Sequence, residues 1–299
     1  MALRFNLDFD PAHGHPVEVF PGVARLTASN PGPFTFHGTN SYLVGRETLA
    51  VIDPGPDDDR HLAALIAAIG GRRVSHILVS HTHRDHSPLT ARLADATGAK
   101  VFAEGPHRAA RTTSSAASPE SGADIDFRPD IHVADGQLLE GDGWSIRAVL
   151  TPGHAANHVA FALEGSGVLF SADHVMGWST TIVAPPDGSM ADYMASLDKL
   201  IAREDGLLLP GHGAPVTDPG PYMRGLREHR LSREHAIVER LRLGDRRVEE
   251  LVRSIYRDLD PKMFPAAGLS VLAHLEHLVD RKLVGTDGAA SIGGIFRPV

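Results

Sequence analysis

The chain has 299 residues, 42% of them hydrophobic and 22% charged, a globular mixture that excludes wholesale disorder and allows about two domains. No window approaches the ~18 consecutive apolar residues of a membrane span, and the start, MALRFNLDFDPAHGHP, shows no basic segment leading into an apolar one, so a cytoplasmic protein without a secretory leader is expected. The net charge is −8, yet residues 220–299 carry 14 Lys and Arg against 11 Asp and Glu, so the acidity sits in the rest of the chain and generic polyanion binding by the whole protein is excluded.

Short β-rich runs alternate with helical ones along the first two-thirds. Residues 40–44 (NSYLV) and 48–52 (TLAVI) read as strands joined by a turn. Residues 57–69 read as a helix with an acidic first turn, Leu62, Leu65 and Ile66 on one face, and Gly70-Gly71 as the stop. Residues 74–80 (VSHILVS) suit a buried strand that runs directly into HTHRDH. A helix is expected over 88–98, an extended run over 100–103 and a strand over 144–150. A hairpin follows, 159–163 with 168–171. Residues 189–203 are helical and 207–209 form a short strand. Residues 111–122 (RTTSSAASPESG) read as a surface loop. Beyond Pro219 come three helices, over 221–243, 247–259 and 268–283, and a small β-ribbon with a Thr-Asp-Gly turn, which together make a winged-helix pattern.

The absence of cysteine excludes disulfides, thiol catalysis and iron–sulfur clusters together. The 18 histidines are the odd feature, and histidine is the commonest metal ligand. His81-Thr82-His83-Arg84-Asp85-His86 places four candidate ligands in six residues. In an extended segment His81 and His83 project to one side. Asp85 and His86 then need a turn that aims them at a second point, so the spacing suggests two cations. Three further ligands follow strand ends: His154 in TPGH, Asp173 in SADH and His212 in PGHG. The glycine before each of these two histidines would let the backbone bend sharply. Five histidines and two carboxylates suit zinc and tolerate iron or manganese. His61, His107, His132, His229, His235, His274 and His277 read as ordinary surface or core residues.

These motifs, in this order and with Asp53 of IDPG ahead of them, resemble the metallo-β-lactamase fold superfamily over residues 18–216. The resemblance implies an α/β protein built as an αββα sandwich, two mixed sheets face to face with helices outside and metals at the loop edge. It implies one metal on His81, His83 and His154 and another on Asp85, His86 and His212. Asp173 would bridge them and Asp53 would orient ligands from behind; on the residues alone Asp53 reads equally as an Asx-turn. HGTNSYLVG (37–45), HTHRDHSP (81–88), PGHAANH (152–158), SADHVMGWST (171–180) and the winged-helix tail resemble the β-lactamase-like protein 2 group. Some members of that group act as single-strand endoribonucleases, and related enzymes act as thioesterases. Ala172 stands where the group usually has glycine. The expected division is a catalytic domain over 1–218 and a small winged-helix domain over 219–299.

Two neighbouring metals can share a water whose pKa falls towards ~7, giving a hydroxide that attacks carbon or phosphorus. Asp85 could both bind metal and accept a hydrogen bond from that nucleophile. His174, directly after the bridging carboxylate, is a candidate proton donor to the leaving group; His158 either donates or packs behind the ligands. Asn40 would donate to substrate or satisfy a turn. Trp178 and Met176 would wall the pocket or fill the core, and Ser87 and Ser171 read as loop hydroxyls. Only 38 residues separate Asp173 from His212, too few for the extra nuclease domain of the large nucleic-acid-processing relatives. The expected function is a hydrolase with two Zn2+ (Fe or Mn as substitutes), cleaving an ester, thioester or lactone, or a phosphodiester as a single-strand endoribonuclease. A third reading is a non-catalytic winged-helix nucleic-acid binder with a structural metal domain; the bridged ligand set argues against it, since structural sites are coordinatively closed. Expected partners are a small acyl substrate or single-stranded RNA, with no membrane; a homodimer stays open as the assembly. The helical tail is expected to roof the active site.

Overall fold

The computed structural model describes residues 3–111 and 122–299; the loop expected at 111–122 lies outside the described residues except at its two ends. Among the described residues two sheets face each other. The first runs in chain order through β1 (Val17–Phe20), β2 (Val23–Thr27), β3 (Asn40–Val44), β4 (Thr48–Ile52), β5 (Arg73–Leu78), β6 (Lys100–Ala103) and β7 (Ile131–His132). Its pairing is antiparallel as far as β4 and parallel beyond. The second sheet contains β8 (Leu138–Gly141), β9 (Trp144–Leu150), β10 (Val159–Leu163), β11 (Val168–Ala172) and β12 (Leu207–Pro210), in the order β12-β11-β10-β9-β8. Only β11 and β12 pair in parallel there.

The central strands are apolar almost throughout because both of their faces are covered. Side-chain alternation then sorts each strand between two layers. Tyr42, Val44, Ala50 and Ile52 meet Ile146, Ala148, Phe161 and Phe170 in the space between the sheets. Their neighbours Leu43, Leu49 and Val51 face outward against Leu65 and Ile69 of α1 (Asp59–Ile69) and Leu93 of α2 (Thr90–Thr97). On the far side Val149, Ala160 and Leu169 pack under Tyr193 and Leu197 of α3 (Met190–Ile201). The result is the expected αββα sandwich. Local chemistry sets the helix limits: Asp58 caps α1 by accepting from the His61 backbone N–H at 2.7 Å, and Gly70 ends it in the left-handed region at φ 61°.

The C-terminal part holds α4 (Pro219–Leu243), α5 (Val248–Ile255), α6 (Phe264–Asp280) and a ribbon of β13 (Val284–Thr286) with β14 (Phe296–Pro298). The ribbon is not the tight hairpin expected at Thr-Asp-Gly; residues 287–295 lie between its strands. Helix α4 belongs to two cores. Met223 and Leu226 pack with α3 and the second sheet, whereas Ile237 and Leu241 pack with α5, α6 and the ribbon. Residue 219 thus marks the start of a helix that serves both parts. No helix among the described residues is long and apolar enough to cross a membrane.

Candidate metal centre

The ligand candidates gather at one end of the sandwich, because each follows the C-terminal end of a strand: β5 leads to His81, β9 to His154, β11 to Asp173 and β12 to His212. HTHRDH does what its spacing requires. His83 bridges to Ala123 in extended form, and the His86 N–H then closes a turn onto the His83 carbonyl at 2.9 Å.

The first group consists of His81, His83 and His154, whose ring nitrogens converge. His83 Nδ1 lies 3.0 Å from His81 Nε2 and 2.9 Å from His154 Nε2. The tautomers follow from the partners behind. The Ser80 hydroxyl donates to Asp53 Oδ2 at 2.7 Å, so its oxygen can only accept from His81 Nδ1–H at 2.9 Å. His154 Nδ1–H donates to the Ile182 carbonyl at 2.6 Å. Both Nε2 atoms therefore aim lone pairs at His83, and one proton on His83 Nδ1 can serve only one of them well. Burial and the neighbouring rings push His81 well below the usual histidine range, and burial with His83 brings His154 down to about 4, so both stay neutral. His83 faces the other way round, its Nε2 lying 3.4 Å from Asp187.

The second group is Asp85, His86 and His212. His86 Nδ1–H donates to Asp53 Oδ2 at 3.0 Å, and His212 Nδ1–H donates to the Gly38 carbonyl at 3.1 Å. Their inward Nε2 atoms have no hydrogen-bond partner among the described residues, and neither does Asp173 Oδ1. Asp85 Oδ2 stands 3.1 Å from His212 Nε2 and 3.4 Å from His86 Nε2. Asp173 spans the groups: Oδ2 is 3.6 Å from His154 Nε2 and 3.4 Å from His212 Nε2, and Oδ1 is 3.5 Å from His86 Nε2. Burial works against charge on all of these, but the carboxylates raise His212 to about 9 and His86 well above its usual value, while the rings hold Asp85 and Asp173 well below theirs. Ring nitrogens and carboxylate oxygens that crowd together in burial with few hydrogen bonds between them, on rings that only a proton or another cation would suit, fit metal ions.

Asp53 is no Asx-turn residue. It sits at φ 50° and reaches across to the Ser80 N–H at 2.7 Å, the Ser80 hydroxyl and His86, orienting ligands of both groups. Ala172 likewise has φ 43°, in the region that favours glycine, just before the spanning carboxylate. At Gly211 the reason for glycine is space and not the bend expected from the sequence: a Cβ there would lie 2.4 Å from Asp173 Oδ1. At Gly153 both reasons apply, with φ 144° and a Cβ position 2.3 Å from the Tyr193 Cα.

Other expectations change. Asn40 does not face a substrate: its amide N–H groups donate to the Pro210 and Gly213 carbonyls, both at 3.0 Å, and its oxygen accepts from Thr27 at 2.9 Å. It pins the loop that carries His212. His174 is fully buried against Tyr193, with ring centroids 4.6 Å apart, and burial, His154 and Arg230 lower it to about 3. A neutral ring packed there is no proton donor to a leaving group. His158 packs behind His81, its Nδ1 2.8 Å from the Thr151 hydroxyl. Trp178 and Met176 line a cavity beside the centre, and Trp178 stacks on Phe36 at 4.8 Å. The sequence reading missed Asp187, Ser80 and Thr181. Ser80 adjoins a ligand and was open to notice; Asp187 in PPDGS carries no local signal.

The metallo-beta-lactamase superfamily model matches residues 34–212, and the beta-lactamase associated winged helix model matches residues 248–291. The chain is 30% identical over 279 residues to a beta-lactamase-like protein 2 homolog of Drosophila melanogaster, covering 87% of this chain and 91% of that one. It is 31% identical over 251 residues to an atrochrysone carboxyl ACP thioesterase of Aspergillus chevalieri, covering 80% and 74%. A beta-lactamase domain protein from Burkholderia ambifaria has a similar fold, with TM-score 0.79 and 22% identity over 99% of this chain and 97% of that one. From motif, fold and relatives together, the chain belongs to the metallo-beta-lactamase superfamily of hydrolases and carries the winged helix associated with it.

Proposed function

We propose that the protein is a dinuclear metal hydrolase of activated acyl bonds, with a thioester as its substrate class. The observation that carries this reading is Asp173, whose two oxygens lie within 3.6 Å of ring nitrogens from both sets of inward-facing histidines. His81, His83 and His154 would hold one ion, and Asp85, His86 and His212 the other, with Asp173 shared; zinc suits these donors best. When bound, such a pair supplies a water of lowered pKa and positive charge opposite a developing oxyanion.

The chain's own residues do the rest. Asp53, Ser80, Ile182 and Gly38 fix the ring tautomers so that lone pairs face inward. Asp85, partly open to solvent, can accept a proton or hydrogen bond from the attacking water. The thioester assignment draws on relatives named as thioesterases. A thiolate needs little protonation to leave, which matches a centre beside which the non-ligand histidines His158 and His174 are buried and held well below the usual histidine range.

The test measures metal content and zinc-dependent hydrolysis of acyl thioesters alongside a labelled single-stranded RNA. About two metals per chain and thioester turnover are expected. Asp173→Asn should lower turnover by roughly a hundredfold or more with the fold retained by circular dichroism. Full turnover in that variant contradicts the shared carboxylate, and RNA cleavage without thioester cleavage contradicts the substrate class.

A further inference from the structure

A cavity of about 290 Å3 lies between the loop after β11 and the C-terminal helices. One wall is apolar, made by Phe5, Phe34, Met176, Trp178, Leu259 and Met263. Phe5 and Phe34 are 45% and 51% exposed, large rings held open to solvent at its mouth. The other wall is cationic and comes from His229, Arg230 and Arg233 of α4, with Tyr256 beside them.

These two arginines differ from the others of their helix, of which Arg224 and Arg242 are exposed to solvent. Arg227, Arg240, Arg253, Arg281 and Arg297 are all tied to carboxylates, of Asp198, Asp245, Glu249, Glu234 and Asp287 respectively. Neither Arg230 nor Arg233 has such a partner among the described residues. Among the described residues, Arg230 Nε, Arg233 Nε, His229 Nδ1 and Trp178 Nε1 are all buried without a hydrogen-bond partner. Arg230 is only 3% exposed, and one arm of its fork donates to the Thr181 carbonyl. Aromatic rings hold the two guanidiniums in place, Tyr193 at 5.0 Å from Arg230 and Tyr256 at 4.7 Å from Arg233. Burial, followed by these two charges, lowers His229 to about 4.

We propose that this cavity binds the part of the substrate away from the scissile bond, an apolar group bearing an oxyanion that Arg230 and Arg233 clasp. The inference rests on the acyl hydrolase reading above. Planar guanidinium forks match carboxylate and phosphate geometry, and the unpartnered donors gain acceptors only when such a ligand enters. The apolar wall suits the ligand's body. An RNA backbone is the poorer match, because it needs a continuous basic track, and on this helix Arg227 and Arg240 are tied to Asp198 and Asp245. The cavity also adjoins the metal centre through its own wall: the Thr181 hydroxyl donates to the Asp173 carbonyl at 2.8 Å, and the Ile182 carbonyl holds His154.

The test is tryptophan fluorescence of the full, metal-loaded chain. Trp178 lines the cavity and Trp144 lies in the core between the sheets, so quenching reports on the cavity. 1-Naphthylacetate or 1-naphthyl phosphate should bind about tenfold or more tightly than neutral 1-naphthylacetamide, and the tighter of the two anions names the source of the charge. Arg233→Gln should erase that preference and Arg230→Lys should reduce it, with thermal unfolding confirming that each variant is folded. Equal affinity for acid and amide in the unaltered chain overturns the proposal even if neither variant folds. Displacement of the naphthyl anion by single-stranded RNA, with RNA binding lost in Arg233→Gln, overturns it in favour of a nucleic-acid surface. Charge-selective binding without metal-dependent thioester turnover supports the anion site while refuting the hydrolase reading on which it was built.

Discussion

Gly211 shows how closely single atoms are constrained at the centre. A methyl group there would sit 2.4 Å from Asp173 Oδ1 and 2.8 Å from the His86 ring, so two ligand side chains would have to move. With the proposed pair of ions bound, Gly211→Ala should lower the metal content of desalted protein from those two per chain towards one, as measured by atomic emission. Retention of both ions would mean that the carboxylate has room to yield. Ala172 poses the opposite problem. It holds φ 43° with a Cβ present, a conformation that costs on the order of 1 kcal/mol relative to glycine, and it sits immediately before the same carboxylate. Strain of this kind is found where the surrounding structure over-determines the backbone, and here the β11–β12 pairing and the Asp173 contacts do so.

Helix-to-helix ties decide how the C-terminal part holds together. Glu234 of α4 is buried and accepts from His277 Nδ1 at 2.7 Å and Arg281 at 2.8 Å, with His274 at 3.8 Å. Burial alone would raise its pKa, but the nearby His274 ring and the hydrogen bond from His277 together outweigh burial and bring it down to about 2 from an ordinary 4.5. The folded value lies below the unfolded one. The tie therefore contributes stability above about pH 4.5 and loses it as the pH falls from there towards 2. The amount at stake is on the order of 2 kcal/mol. Urea midpoints between pH 6 and 3 should fall with acidification, and Glu234→Gln should flatten that fall while lowering stability at pH 6. An unchanged slope in the variant would remove Glu234 from this role.

At the scale of the whole molecule, α4 makes the two parts one structure. Met223, Leu226 and, from α6, Ala273 lie in the same core as Tyr193, Leu197 and Leu169, each 1% exposed or less. A chain ending at residue 218 would uncover that core. Two large side chains at about 1.5–3 kcal/mol each amount to roughly 3–6 kcal/mol. At about 2–4 °C per kcal/mol for a domain of this size, calorimetry of residues 1–218 should show unfolding roughly 10–20 °C below the full chain. A melt within a few degrees of the full chain would mean that the sandwich is self-sufficient. Removing the tail is accordingly a poor way to ask what the tail binds, and single substitutions in the cavity between the two parts are the cleaner probe.

The amino-acid sequence by itself determined which side chains form the centre and in what order. HTHRDH, TPGH, SADH and PGHG are local patterns at the ends of apolar runs, and strand ends are set by neighbours a few residues away. The same locality made α1, α3, β3, β4 and the β9–β11 region legible, whereas the two-residue β7 and the partly exposed β8 offered too short or too mixed a pattern. Tertiary structure alone decided what each polar group does once it is there. Asn40 meets a carbonyl 170 residues away, Asp53 reaches Ser80 across 27, and Asp187 faces His83 from a distant loop. It also decided that Arg230 and Arg233, indistinguishable in sequence from the other arginines of α4, line a cavity that no Asp or Glu of the described residues lines. Hydrophobic periodicity is a short-range property, but a hydrogen bond or an unbalanced charge depends on what the fold brings alongside.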